Sequence, residues 1–165
     1  MDNICLIGFM GTGKSSVAGE IAEKYNKAHI ELDSVIEKIE GMGIPQIFET
    51  YGEDYFRGLE TQALRGLKCN GAVISCGGGI VVRRENIALL KEKGKVIWLK
   101  AKPETIYERI SSESGRPLLK GNMTIGYIEN MLKSRLESYE AAADEYIYTD
   151  KMSIVEIAGY ICEKN

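Results

Sequence analysis

The sequence predicts an α/β chain: a mostly parallel five-stranded sheet covered by helices on both faces, a three-layer α/β/α arrangement. Three observations carry this. Five short apolar runs recur along the 165 residues, each parted from the next by a helical stretch, which is the rhythm of successive βα units. The first run is joined to the first helix by GFMGTGKS, Gly8 to Ser15, a complete match to G-x-x-x-x-G-K-[ST], the P-loop whose backbone N–H groups cradle phosphates. The last helix opens on a capping box, Ser153 with Glu156, ahead of Ile154, Ile157, Ala158 and Ile161.

Taken in order, NICLIG (Asn3 to Gly8) has the continuous apolar character of a buried parallel strand. Ser15 to Tyr25 follows as a helix with Val17, Ile21 and Tyr25 on one face. HIEL (His29 to Leu32) is the second strand. Asp33 to Gly71 then holds more helix than one crossover needs; Pro45 suits a first helical turn, where its missing N–H costs nothing, and Phe56, Leu59, Ala63 and Leu67 share a face. AVISC (Ala72 to Cys76), KVIWL (Lys95 to Leu99) and EYIYT (Glu145 to Thr149) complete the strands, and Pro103 opens a further helix. Ser111 to Thr124 is polar and rich in turn formers. With Asp33 to Gly71, it is where a substrate pocket and a lid are inserted into the βα rhythm.

Composition narrows the partners. A formal net charge of −3, a pI near 5.4 and no basic block argue against nucleic acid or an anionic membrane surface. An anionic ligand must then be held by locally placed cations. No stretch approaches the roughly 18 consecutive apolar residues of a membrane span, and Met1 is followed at once by an acidic residue, so no signal peptide is expected. The reading is one cytoplasmic domain over residues 1–165, expected to be monomeric. Cys5, Cys69, Cys76 and Cys162 form no C-x-x-C pair and read as buried thiols. His29 is the single histidine, so no multi-histidine metal site is available and a structural role is expected.

In the P-loop, Gly8, Gly11 and Gly13 turn backbone N–H groups around an anion, and the following helix adds its positive end. Lys14 supplies a mobile cation to the outer phosphates of a nucleoside triphosphate, and the Ser15 hydroxyl a ligand for the accompanying Mg²⁺. Asp33 stands at the carboxyl end of the second strand, facing the same crevice. It either orients an acceptor hydroxyl and takes its proton, or caps the next helix. Gly77, Gly78 and Gly79 form either a place where a ligand passes close to the main chain or a flexible turn. Arg57, Arg116 and Arg135 are solvated charges if taken singly, and paired-donor sites for carboxylate or phosphate if they line the crevice.

Together the motifs resemble the shikimate kinase family nearly end to end: GFMGTGKSS, ELD with Glu31 and Asp33, FETYGEDYFRGLE with Arg57 and Glu60, the triplet Gly77 to Gly79, RPLL from Arg116, and RLESY with Arg135 before Tyr139. The resemblance implies a nucleoside monophosphate kinase type of fold with strand order 2-3-1-4-5, a substrate-binding region over about 33–61 and a lid over about 111–124. It implies ATP and shikimate as substrates, one Mg²⁺ per ATP, and phosphorylation of the shikimate 3-hydroxyl on the way to chorismate and aromatic amino acids. ATP falls to Gly11, Thr12, Gly13, Lys14, Ser15, Ser16, Arg109 on the adenine side, and Arg116. Shikimate falls to Asp33, Arg57, Gly77, Gly78, Gly79 and Arg135. Lys14, Asp33 and Arg116 are the catalytic set, and Ser15 holds the metal directly, with Glu31 and Ser75 reaching it through water.

One departure stands out: the family usually has D-x-D, and this chain has Glu31 at the first acidic position. The extra methylene displaces a carboxylate by about 1 Å, a shift that costs about 10²-fold where nothing compensates. Two rival readings follow. A related kinase for gluconate or a nucleoside monophosphate would not need Arg57, Arg135 and Asp33 jointly. A nucleotide-binding regulatory module would need the P-loop alone.

Overall fold

Residues 3–112 and 123–164 are described by the computed structural model, and the five expected strands form among them. β1 (Asn3–Ile7), β2 (His29–Glu31), β3 (Val73–Ser75), β4 (Gly94–Lys100) and β5 (Glu145–Tyr148) pair in parallel in the order β2-β3-β1-β4-β5. This is the order implied by the family resemblance. β1 lies in the middle with all five residues buried, and its alternation feeds two cores. Cys5 and Ile7 join Ile74, Cys76, Val96 and Trp98 on one face; Ile4 and Leu6 join Val73, Ile97, Leu99 and Ile147 on the other.

The second face is covered by α1 (Lys14–Tyr25) and α7 (Ile154–Lys164) through Val17, Ile21, Ile157 and Ile161. The first is covered by α2 (Leu32–Glu40), α3 (Ile44–Gly66), α4 (Arg84–Lys93) and α6 (Ile125–Ala142), through Ile36, Ile47, Leu64, Leu90 and Tyr139 among others. α5 (Pro103–Ser112) builds a smaller cluster, Ile106 and Ile110 against Phe9 and Ile128. A short 3₁₀ turn, Ile80–Val82, leads into α4.

End signals behave as their chemistry requires. The Ser153 N–H donates to Glu156 Oε2 at 2.7 Å and the Glu156 N–H to Ser153 Oγ at 3.2 Å, so the capping box forms. Pro103 opens α5, and Pro45 lies in the first turn of α3. α3 is interrupted at Gly52, whose φ of 82° and ψ of 175° kink the helix and suit glycine.

Asp33 differs from expectation in one respect: Leu32 already begins α2, so Asp33 sits in that helix's first turn rather than at the strand end, and Glu31 occupies the N-cap position without a side-chain cap bond. The capping alternative for Asp33 is therefore not realised. Cys5 and Cys76 are buried, Cys69 and Cys162 half-buried, and all four are free thiols. Burial pushes the Cys5 thiol up to about 12, which leaves it unreactive. Among the described residues no helix is long and apolar enough to cross a membrane.

Strand register positions the site. Glu31 pairs with Ser75, and Ser75 with Leu6, so the three strands end level and release the P-loop, the start of α2 and the glycine triplet side by side. In an open parallel sheet, this carboxyl edge is where ligands bind.

Candidate active site

A cleft of about 910 Å³ opens at that edge. Its floor is the P-loop, and Gly8 shows why the loop needs glycine: at φ 144°, a Cβ there would lie 2.4 Å from the Leu99 carbonyl oxygen. The loop is thus seated directly on the end of β4. Thr12 Oγ1 donates to the Phe9 carbonyl at 2.8 Å, and Lys14 Nζ donates to the carbonyls of Gly8 at 2.8 Å and Phe9 at 2.9 Å. The buried ammonium is folded over the loop it serves.

Beside it, Ser15 Oγ donates to Glu31 Oε1 at 3.0 Å and lies 3.4 Å from Ser75 Oγ. His29 Nε2 stands 3.2 Å from Glu31 Oε2, so the lone histidine braces the site's acidic edge. The Glu31 carboxylate, one methylene longer than in the usual family motif, still reaches Ser15. This donor set is oxygen only, and the described residues contain no cluster of three histidine, cysteine or acidic side chains suited to a metal. Such a sparse arrangement fits Mg²⁺, which keeps waters and substrate phosphates in its shell, and does not fit a metal needing an all-protein cage.

On the α2–α3 side of the cleft, two carboxylates converge. Asp33 Oδ1 and Glu60 Oε1 are buried without a hydrogen-bond partner, and a Cβ on Gly77 would lie 3.0 Å from each. Burial pushes the Asp33 carboxyl above its ordinary value, with Glu31 adding to the rise and Lys14 opposing it. Burial likewise raises Glu60, against the pull of Arg57. Arg57 Nη1 donates to Glu60 Oε2 at 2.7 Å, while its Nη2 and Nε donate to Glu53 Oε1 at 3.1 and 3.3 Å. The guanidinium packs against Gly79, where a Cβ would lie 2.3 Å from Arg57 Nη1. With Gly78, where a Cβ would lie 3.1 Å from the Met10 backbone nitrogen, all three glycines of the triplet meet close neighbours, which favours the close-approach reading over a flexible turn.

Arg135, on α6, donates from Nη1 to the Gly78 carbonyl at 3.2 Å and lies over the Phe9 ring at 5.7 Å. Ile44, Phe48 and Phe56 give this end an apolar wall. At the far end of the cleft, Arg109 bridges the P-loop and the loop after β5: Nη1 donates to the Gly11 carbonyl at 3.2 Å and to Thr149 Oγ1 at 3.0 Å, and Nη2 to the Thr149 carbonyl at 3.1 Å. Met152, Ser153 and Ile154 line the slot beside it.

The cleft thus brings together Gly11, Thr12, Gly13, Lys14, Ser15, Ser16, Glu31, Asp33, Arg57, Gly77, Gly78, Gly79, Arg109 and Arg135. Ser75 stands behind Ser15 rather than on the lining. Arg116 and the middle of the lid lie outside the described residues. Sequence reasoning did not assign a role to Glu60 or Glu53, although their spacing of three and four residues from Arg57 on a helix signals contact.

One end of the cleft can hold polyphosphate. The other offers unsatisfied acceptors for hydroxyl groups and guanidinium donors for a carboxylate. The family model described as shikimate kinase matches residues 10–165. The chain belongs to the shikimate kinase family. It is 44% identical over 167 residues to a shikimate kinase of Enterococcus faecalis, covering 99% of this chain and 98% of that one. It is 40% identical over 164 residues to one from Dehalococcoides mccartyi, covering 99% and 93%. The structure of shikimate kinase from Acinetobacter baumannii in complex with shikimate superposes with a TM-score of 0.92 at 32% identity, covering 99% of this chain and 92% of that one. As a shikimate kinase family member the chain is a phosphotransferase that uses ATP as co-substrate and phosphorylates shikimate.

Proposed function

We propose that the acceptor atom is the 3-hydroxyl of shikimate, that the products are shikimate 3-phosphate and ADP, and that Asp33 delivers the hydroxyl. The observation that supports this is the pair of buried, unpartnered oxygens, Asp33 Oδ1 and Glu60 Oε1, which line the same cleft as Arg57, Arg135 and the P-loop. That pattern suits a small ring bearing hydroxyls on one side and a carboxylate on the other. The joint presence of Asp33, Arg57 and Arg135 favours such a ring over a nucleoside monophosphate.

In this reading Gly11, Thr12, Gly13, Ser15 and Ser16 offer backbone and hydroxyl donors to the phosphates, and Lys14 turns from the Gly8 and Phe9 carbonyls to the outer phosphate oxygens. Arg109 with Thr149 borders the adenine. Arg57 and Arg135 hold the shikimate carboxylate, Glu60 fixes Arg57, and the glycine triplet lets the ring approach the main chain. Asp33 aligns the 3-hydroxyl and takes its proton as the oxygen attacks the γ-phosphoryl group; a carboxylate made more basic by burial is the better acceptor. Arg116 joins Lys14 in neutralising charge on the transferring group. Mg²⁺, when bound, neutralises phosphate oxygens; Ser15 would hold it, with Glu31 and Ser75 reaching it through water. The chain acts as one cytoplasmic kinase domain over 1–165, with a substrate-binding region at about 33–61 and a lid at about 111–124 that excludes water when both ligands are bound.

The test is ADP formation from Mg-ATP with shikimate, quinate, gluconate, AMP or no acceptor. Turnover that requires shikimate is expected, with the phosphate on the 3-oxygen by ³¹P and proton NMR. Turnover with another acceptor instead would reassign the pocket. For the metal edge, Glu31→Ala is expected to raise the half-saturating Mg²⁺ concentration by about ten-fold or more with the shikimate KM unchanged. An unaltered Mg²⁺ titration would remove Glu31 from that role.

A further inference from the structure

We infer that Tyr139 is a positioning residue for shikimate: its hydroxyl satisfies the Gly78 carbonyl and so releases Arg135 to the substrate. The inference rests on the reading that Arg135 holds the shikimate carboxylate.

Tyr139 is fully buried, one helical turn beyond Arg135 on α6. Its ring stacks on Trp98, with centroids 5.1 Å apart and planes 13° from parallel. Its hydroxyl donates to the Gly78 carbonyl at 2.6 Å. Burial pushes the phenol up to about 12, so the group remains a donor throughout the working pH range.

The Gly78 carbonyl is therefore shared. It accepts from Tyr139 at 2.6 Å and from Arg135 Nη1 at 3.2 Å, using both lone pairs. The two donors have different liberties. Tyr139 is locked by its stack on Trp98, whereas Arg135 lines the cleft and lies over the Phe9 ring. Gly78 also backs onto the P-loop, where a Cβ would lie 3.1 Å from the Met10 backbone nitrogen, so no side chain screens its carbonyl on that side.

When a carboxylate enters, Arg135 can give its Nη1 to the ligand only if the carbonyl keeps another donor, since a shielded carbonyl left unpaired is costly. Tyr139 is that donor. Its bond also fixes the plane of the Gly78–Gly79 peptide, and with it the backbone that meets Arg57. The competing role for Tyr139 is that of a packed aromatic alone. A packed ring would serve equally well without its hydroxyl.

Tyr139→Phe keeps the ring and the stack and deletes only the donor. The expected result is a rise of about ten-fold in the calorimetric Kd and in the KM for shikimate, with the Kd for ADP and the KM for ATP within about two-fold of the parent. Unchanged shikimate binding would overturn the inference. The ADP titration counts folded sites in each variant, so loss of fold and loss of shikimate binding are read separately. Arg135→Lys and the double variant complete a cycle. If Tyr139 acts through Arg135, the hydroxyl deletion adds much less in the Lys background; full additivity would overturn the inference. If Arg135→Lys alone leaves shikimate binding intact, the carboxylate reading itself fails, and the inference falls with it.

Discussion

Asp33→Asn is expected to lower kcat by about 10²- to 10⁴-fold, the range that a positioned proton acceptor supplies, at saturating ATP and shikimate. The KM for ATP should stay near the parent value, because Asp33 lies at the acceptor end of the cleft, beside Gly77 and Glu60. The same variant tests the electrostatics of the site. Burial raises the folded-state pKa of Asp33 above its ordinary 3.8, so the folded chain holds a proton there more tightly than the unfolded chain does. The stabilisation from that proton is complete below 3.8 and is lost as pH rises through the raised value. Asn cannot titrate. The ligand-free variant should therefore melt higher than the parent above that window and follow pH less steeply within it. A kcat within two-fold of the parent would sink the catalytic role; identical melting profiles across the acid-to-neutral range would sink the electrostatic account.

Glu60→Ala should carry the largest stability cost among the site residues. Glu60 is completely buried and its Oε2 takes the Arg57 Nη1 bond at 2.7 Å. Removing one partner of a buried pair leaves the other charge uncompensated, typically at 3–5 kcal/mol. The lower end, about 3 kcal/mol, applies here, because Glu53 still meets the Nη2 and Nε edge of Arg57. For a chain of this length, that lowers Tm by about 6–12 °C. Shikimate KM should rise as well, since Arg57 loses the anchor that sets its angle. Glu60→Gln retains an acceptor for Nη1 and should recover part of both effects. Urea denaturation and steady-state kinetics on the two variants decide the matter: an Ala variant as stable as the parent would show that the pair holds nothing together.

Legibility in the sequence follows how tightly each feature is tied to local chain geometry. The P-loop was plain because a turn that presents successive N–H groups demands glycine, and the strand-to-helix context could be read from flanking apolar residues. Strand order was not local: only the family resemblance supplied it. Asp33 was placed near the right edge but one element too early, since nothing in ELDSVIEK marks whether Leu32 ends a strand or begins a helix. Glu60 shows the limit most clearly. Glutamate in a helix normally faces water, and the face that α3 turns inward is decided by packing against residues far away in sequence, including Ile74, Ile80 and Leu90. The triplet was legible as a close approach, but its three separate reasons, the carboxylates at Gly77, the P-loop at Gly78 and Arg57 at Gly79, exist only once α2, α3 and the P-loop have met. Tyr139 read as part of the RLESY motif and nothing more, because a hydroxyl aimed at a carbonyl 61 residues away leaves no trace in periodicity.

The break at Gly52 divides the part of α3 that lines the cleft into two stretches. Ile44 and Phe48 belong to the stretch before it, and Arg57 and Glu60 to the stretch after it, where Leu59, Ala63 and Leu64 root the helix in the core. The parts touch through Phe48 on Phe56, with ring centroids 4.6 Å apart. An inhibitor chemist therefore faces two separable problems. Charge complementarity is set on the segment after Gly52, which carries Arg57 and Glu60, whereas ring bulk meets Ile44 and Phe48 on the segment before it, itself anchored in the core by Ile47. Selectivity for one cyclic acid over a larger one is thus a question to put to Ile44 and Phe48 first.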